Sequence, residues 1–150
     1  MNDLHFDIYI AAKPDAVWKA LTGNEGVAAL YFGSHLVTSF QAGSPYHYVG
    51  PDGKGGEVTH VEGEILAAEP GQRLQITHRA GKVWQKGPKA YSSRLTYSME
   101  DLGFATKLSV DHDRWEEGDP GHAHNATGWM IFLSSVKSYV ETGKALPLPM

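Results

Sequence analysis

The end of the chain restricts what it can fold into. Gly128 and Trp129 open a helical repeat that runs through Phe132, Leu133, Val136, Tyr139 and Val140 to a stop at Gly143. Trp129, Leu133, Val136 and Val140 recur at helical spacing, so one side of this helix must lie on an apolar surface. That surface is expected to be a sheet, because residues 35 to 113 read as short alternating strands separated by turn residues. A curved sheet gripping one long helix leaves a cavity between the two, and function is expected there.

The rest of the chain supplies the sheet and little else. Leu4, Phe6, Ile8 and Ile10 alternate with His5, Asp7 and Tyr9, the period of a half-buried strand whose even-numbered residues face inward. Pro14 suits a first helical turn, Val17 and Leu21 fall four apart, and Gly23 is a natural stop, which predicts a helix over 14–22. A second short helical segment carries Val27, Leu30 and Tyr31. Six strands follow, at about 35–40, 45–50, 57–68, 72–79, 91–100 and 104–113. Gly50-Pro51-Asp52-Gly53, Gly55-Gly56, Pro70-Gly71 and Asp101-Leu102-Gly103 supply the reversals. The expected class is α+β, with residues 1–150 forming one domain.

Charge and composition exclude some partners. Seventeen acids against thirteen lysines and arginines give a formal charge of −4, with no basic stripe for nucleic acid and no cationic helix for a membrane surface. The chain has no cysteine, so neither a disulfide framework nor thiol catalysis is available. No stretch approaches the about 18 apolar residues of a membrane helix, and MNDLHFDIYI is unlike a signal peptide, so a cytoplasmic location is expected.

Ile10-Ala11-Ala12-Lys13-Pro14-Asp15-Ala16-Val17-Trp18, followed by Ala20-Leu21-Thr22, resembles the opening of the START-like, or SRPBCC, superfamily. The branch it is most similar to is the one named for the C-terminal domain of the Hsp90 ATPase activator Aha1. Gly63-Glu64-Ile65-Leu66 leading to Glu69-Pro70 and Arg73-Leu74 resembles that family's long strand and proline-centred turn. Gly128-Trp129 with Leu133 and Gly143 resembles its closing helix. The resemblance implies a helix-grip (START-like, Bet v 1-like) fold: a curved antiparallel sheet around a long C-terminal helix, with two short helices after the first strand. It also implies an apolar cavity, used across the superfamily for lipids, polyketides, hormones and other hydrophobic molecules. Leu30-Tyr31-Phe32 departs from the family pattern, in which many members carry a tryptophan before an aromatic, and the loops at about 79–90 and 114–124 are longer and more polar.

Strand parity nominates the residues of a site. His78 shares the inward face of its strand with Leu74 and Ile76. Tyr91, Ser93, Leu95, Tyr97 and Met99 share another, and Thr106, Leu108, Val110 and His112 a third. Antiparallel neighbours bring His78, Tyr91, Ser93 and His112 to one edge of the sheet, where grouped polar side chains on an apolar pocket suit a small molecule. At a strand end the same groups can instead bond to water or loop backbone. Trp84 and Trp115, in the two long loops, are expected at the same edge, as a lid or as a satellite of packed side chains. Trp129, Phe132, Tyr46, Tyr48 and Tyr97 are placed to line the cavity or to fill the core.

Other chemistries find less support. His112, Asp113, Glu116, Asp119, His122 and His124 crowd thirteen residues, but their spacing matches no metal motif, and a solvated acidic loop is expected instead. GPDGKGG, residues 50–56, lacks the Lys-Ser/Thr and the helix of a phosphate loop. No Gly-x-Ser-x-Gly elbow exists, so no catalytic residue, metal or cofactor is nominated. The expected function is non-catalytic binding of a small hydrophobic or aromatic molecule. The alternatives are an Hsp90-type co-chaperone, protein-interaction or self-association role, and a polyketide cyclase- or dehydratase-like enzyme using cavity His and Tyr residues.

Overall fold

In the computed structural model, which describes residues 1–149, the alternating segments pair into one antiparallel sheet of seven strands. The elements run β1 (Leu4–Ile10), α1 (Pro14–Thr22), α2 (Asn24–Leu30), β2 (His35–Thr38), β3 (Pro45–Pro51), β4 (Glu57–Glu69), β5 (Arg73–Ala80), β6 (Ser93–Asp101), β7 (Thr106–Asp113) and α3 (Gly121–Thr142). Each strand from β3 to β7 lies beside its predecessor in sequence, and β1 closes the order against β7. The order β1-β7-β6-β5-β4-β3-β2 is the helix-grip arrangement, with α3 laid across the inner face.

The inner face carries Ile10, Tyr46, Tyr48, Ile65, Leu74, Ile76, Leu95, Tyr97, Leu108 and Val110, and α3 contributes Trp129, Leu133 and Val136. Val17, Leu21, Val27 and Leu30 from α1 and α2 close one side of this core. Register shifts at Tyr48/Val49 and at Ile65/Ala67 bend the sheet around the helix, as bulges do. Within the bend, β4 and β5 approach so closely that a side chain at Gly63 would put its Cβ 2.2 Å from the Thr77 carbonyl. That carbonyl accepts the Tyr46 hydroxyl at 2.7 Å, and the Glu64 N–H is given to Thr77 Oγ1 at 2.9 Å.

Both ends of β1 are held by α3. Lys137 Nζ donates to the Tyr9 carbonyl (2.6 Å), the Ala11 N–H donates to Glu141 Oε2 (2.7 Å), and His122 Nε2 meets the Asn2 carbonyl at 2.7 Å. No helix among the described residues is long and apolar enough to cross a membrane.

Several boundaries differ from those expected. The terminal helix begins at Gly121, not at Gly128, because Gly121–Thr127 continues the backbone pattern without an apolar repeat that periodicity could register. Strand β2 stops at Thr38, since Phe40 takes a left-handed backbone (φ 60°). Strand β6 begins at Ser93, which leaves Tyr91 in the preceding loop.

Replacing Gly63 with Ala is expected to destabilise the fold by about 1–3 kcal/mol, because the obstruction is backbone that cannot turn aside. For a chain of this length each kcal/mol lowers Tm by about 2–4 °C, which a thermal melt followed by circular dichroism would resolve.

Candidate functional site

The register places His78 on β5 opposite Ser93 on β6, and Leu95 opposite His112 on β7. Three of the four residues expected at this edge therefore meet. His112 is fully buried and uses both ring nitrogens: the Trp129 indole N–H reaches Nδ1 at 3.1 Å, and Ser93 Oγ lies 2.7 Å from Nε2. An indole N–H can only donate, so Nδ1 is the acceptor and the ring hydrogen sits on Nε2. Nε2–H donates to Ser93 Oγ, whose own hydrogen points to the His78 carbonyl at 3.4 Å.

This direction of donation is opposite to that of a nucleophilic pair. A general base must present a lone pair to the serine hydroxyl, and here it presents a hydrogen. Ser93 and His112 are structural polar groups within the core, and neither is among the residues that line the cleft below.

That cleft, of ≈ 200 Å³, lies between the sheet and α3. Its walls are Tyr31, Tyr48, Val61, Ile76, His78, Leu95, Tyr97, Trp129 and Phe132, with His124, Asn125 and Gly128 along the helix side. Aromatic rings brace one another around it: Tyr31 on Tyr48 at 4.6 Å between centroids, Tyr31 on Phe132 at 5.0 Å, Trp129 on Phe132 at 5.7 Å and Tyr97 on Trp129 at 5.9 Å. The Tyr31 and Tyr97 hydroxyls are 3.2 Å apart. Burial raises both phenols and that of Tyr48 well above the ordinary range, so all three stay protonated.

His78 faces the cleft from the sheet, as His124 does from the helix, and its ring lies edge-on to His112 at 5.1 Å. Its ring makes no hydrogen bond among the described residues, and burial pushes its pKa down to about 4. Burial, with a smaller push from His78, takes His112 down to about 3. Both are neutral at pH 7.

The other expected site residues lie elsewhere. Tyr91 sits in the loop against Gly118, with the Lys89 ammonium 4.9 Å from its ring, outside the cleft walls. Tyr46 is a core residue whose hydroxyl is taken by Thr77. Neither tryptophan of the long loops covers the cleft. Trp115 stacks on the back of His112 at 4.0 Å and donates to its carbonyl, while Trp84 is 59% exposed and donates to His60 Nδ1. The loops fold back onto their own strands, so no lid forms. Among the described residues no three His, Asp or Glu side chains are grouped to hold a metal; His122 is turned to the Asn2 carbonyl instead.

Parity already contained Ile76 and Leu95, as inward residues beside His78 and Ser93. Asn125 and Gly128 were within reach had the helical repeat been extended back from Trp129 and Phe132 by four residues. Nothing local to the sequence marks Tyr31 or His124 as cleft residues.

The sequence model of the family described as Activator of Hsp90 ATPase homolog 1-like protein matches residues 11–141. Solved structures share the fold. The solution structure of the Aha1 dimer from Colwellia psychrerythraea is 23% identical, over 97% of this chain and 100% of that one, with a TM-score of 0.71. ChR145 from Cytophaga hutchinsonii is 22% identical over 93% and 94%, with a TM-score of 0.72. DynU16, a protein of the dynemicin biosynthetic locus, is 25% identical over 97% of this chain and 49% of that one, with a TM-score of 0.72. No curated protein matches the chain.

Two outcomes follow from the histidine geometry. Trp129→Phe strips His112 Nδ1 of its donor and is expected to cost about 1–3 kcal/mol in urea denaturation. Because both histidines stay neutral in the fold but take up protons near pH 6.5 when unfolded, their contribution to stability is complete above about 6.5. It drains away as pH falls towards 4, at about 1.4 kcal/mol per pH unit for each. Denaturation curves between pH 7 and pH 4.5 should therefore be less steep in pH for His112→Gln than for the natural protein.

Proposed function

This chain belongs to the family of Activator of Hsp90 ATPase homolog 1-like proteins, and from that membership and the aromatic cleft we propose that it is a cytoplasmic, non-catalytic protein that binds a small hydrophobic or aromatic molecule between sheet and terminal helix. The observation that carries this reading is the cleft itself: ≈ 200 Å³ of space left open between the aromatic inner face of the sheet and α3. Protein interiors pack to the density of organic crystals, and a gap of this size forfeits contacts that larger side chains would supply. A ligand restores those contacts, and burying its apolar surface contributes roughly 25 cal/mol per Å² before ordering costs. The bracing of rings from α2's end, β3, β6 and α3 keeps the space from collapsing. The similarity to a protein of a biosynthetic locus agrees with small-molecule work for this fold.

A second reading, association with another protein or with its own copy, is favoured by one observation. Met130 and Ile131 on α3 are 41% and 54% exposed, and one similar structure is a dimer. Light scattering that returned the mass of one chain at every concentration would remove self-association.

Gly128 gives the sharpest test of ligand binding. It lines the cleft, and a Cβ placed there meets nothing within 4 Å. Gly128→Leu should fill the space from the helix side while improving helix propensity by about 0.5–1 kcal/mol. Native mass spectrometry of the purified natural protein is expected to show a retained small molecule, and the variant, with an equal or higher Tm, none. A variant that retains the same molecule overturns the assignment to this cleft.

A further inference from the structure

The cleft's polar groups specify more than apolar character. Its wall contains no Lys, Arg, Asp or Glu. A charged ligand would surrender hydration there without a carboxylate, ammonium or guanidinium to replace it. The space is also small. An apolar cavity of about 150 Å³ holds benzene, so ≈ 200 Å³ takes one or two fused rings.

Besides the exposed His124 and the half-buried Asn125 on the helix side, two hydrogen-bonding groups stay open on this wall. His78 presents its ring with no partner among the described residues, whereas His112 beside it has both nitrogens engaged. Across the cleft, the Tyr31 and Tyr97 hydroxyls share one hydrogen bond at 3.2 Å. Two hydroxyls linked once use one hydrogen, which leaves the other O–H to donate. A ligand that enters the cleft strips these groups of water, so one that answers them with a hydrogen bond is favoured over one of equal shape that does not.

Resting on the reading of the cleft as a ligand site, the geometry points to selection of neutral aromatic molecules of one or two fused rings that carry a hydroxyl or carbonyl group on the edge presented to the His78 imidazole. His78 is the specificity-determining residue, and its ring exchanges a hydrogen bond with that oxygen. The aromatic walls hold the rings, and their contribution is common to all ligands of that shape.

Three probes of one shape separate the terms: naphthalene, 2-naphthol and 2-naphthoate, titrated at pH 7 and followed by the probe's own fluorescence. One satisfied hydrogen bond predicts that 2-naphthol binds about tenfold more tightly than naphthalene. The uncompensated charge predicts that 2-naphthoate binds at least about tenfold more weakly than 2-naphthol. In His78→Phe the advantage of 2-naphthol over naphthalene is expected to vanish while naphthalene still binds. Equal affinity for naphthalene and 2-naphthol in the natural protein, tighter binding of 2-naphthoate, or an advantage that survives in His78→Phe overturns this inference and leaves the ligand reading of the cleft standing. Silence from all three probes overturns both. The comparison of probes on the natural protein decides by itself, so poor folding of the variant does not remove the test.

Discussion

The hydrogen bond that Trp129 gives to His112 organises the molecule more than its own energy suggests. Because an indole can only donate, it fixes which imidazole nitrogen carries hydrogen, and that choice passes to Ser93 and then to the His78 carbonyl. One line of donors thus runs from α3 through β7 and β6 to β5, its first two links buried where water offers no competing partner. The helix is set on the sheet at a defined height and rotation. The cleft exists at that height, with Phe132 one helical turn beyond Trp129 and Asn125 one turn before it. An apolar contact at the same place would allow the helix to slide, since dispersion has no direction.

The same line explains how much of the site could be read from residues alone. Alternation placed His78, Ser93 and His112 on inward faces, and hairpin connectivity brought them to one edge, because parity and order in antiparallel strands depend on local sequence only. What parity does not contain is the consumption of one polar group by another. His112 is spent on a tryptophan 17 residues away, on an element whose rotation is a tertiary fact. Tyr91 failed for a different reason: β6 starts two residues later, and alternation has no meaning outside a strand. The helix start was hidden because Gly-His-Ala-His-Asn-Ala-Thr offers no large apolar side chain to reveal its period. Trp84 and Trp115 both donate their indole hydrogens to groups of the strands behind them, and no sequence rule foretells to which side a long loop folds.

The cleft's walls are rings for a mechanical reason. An aromatic side chain has two torsions, and packing edge to face against neighbours fixes both, so a surrounding of braced rings can border empty space without moving into it. Leucines or methionines in those places would turn inward and close the gap. Tyr31 has a particular position in this bracing, touching Tyr48 and Phe132 by its ring and Tyr97 by its hydroxyl. It stands just before Phe32, whose backbone adopts the left-handed region (φ 52°), an unfavourable state for a bulky residue. The turn that holds Tyr31 over the opening is therefore kept against local preference by the contacts Tyr31 makes.

The clamping of β1 by α3 has a bearing on how the chain is made. The Asn2 carbonyl waits for a side chain 120 positions further on, and the Tyr9 carbonyl for one 128 positions further on, while the neighbouring strand β7 is itself translated nearly as late. During synthesis β1 stays unpaired, with its strand-forming backbone free to join any other extended peptide, until β7 leaves the ribosome. Cooperative closure then comes in a late event that unites β1 with β7 and α3. Nascent copies on a crowded polysome are most exposed to mispairing just before that moment.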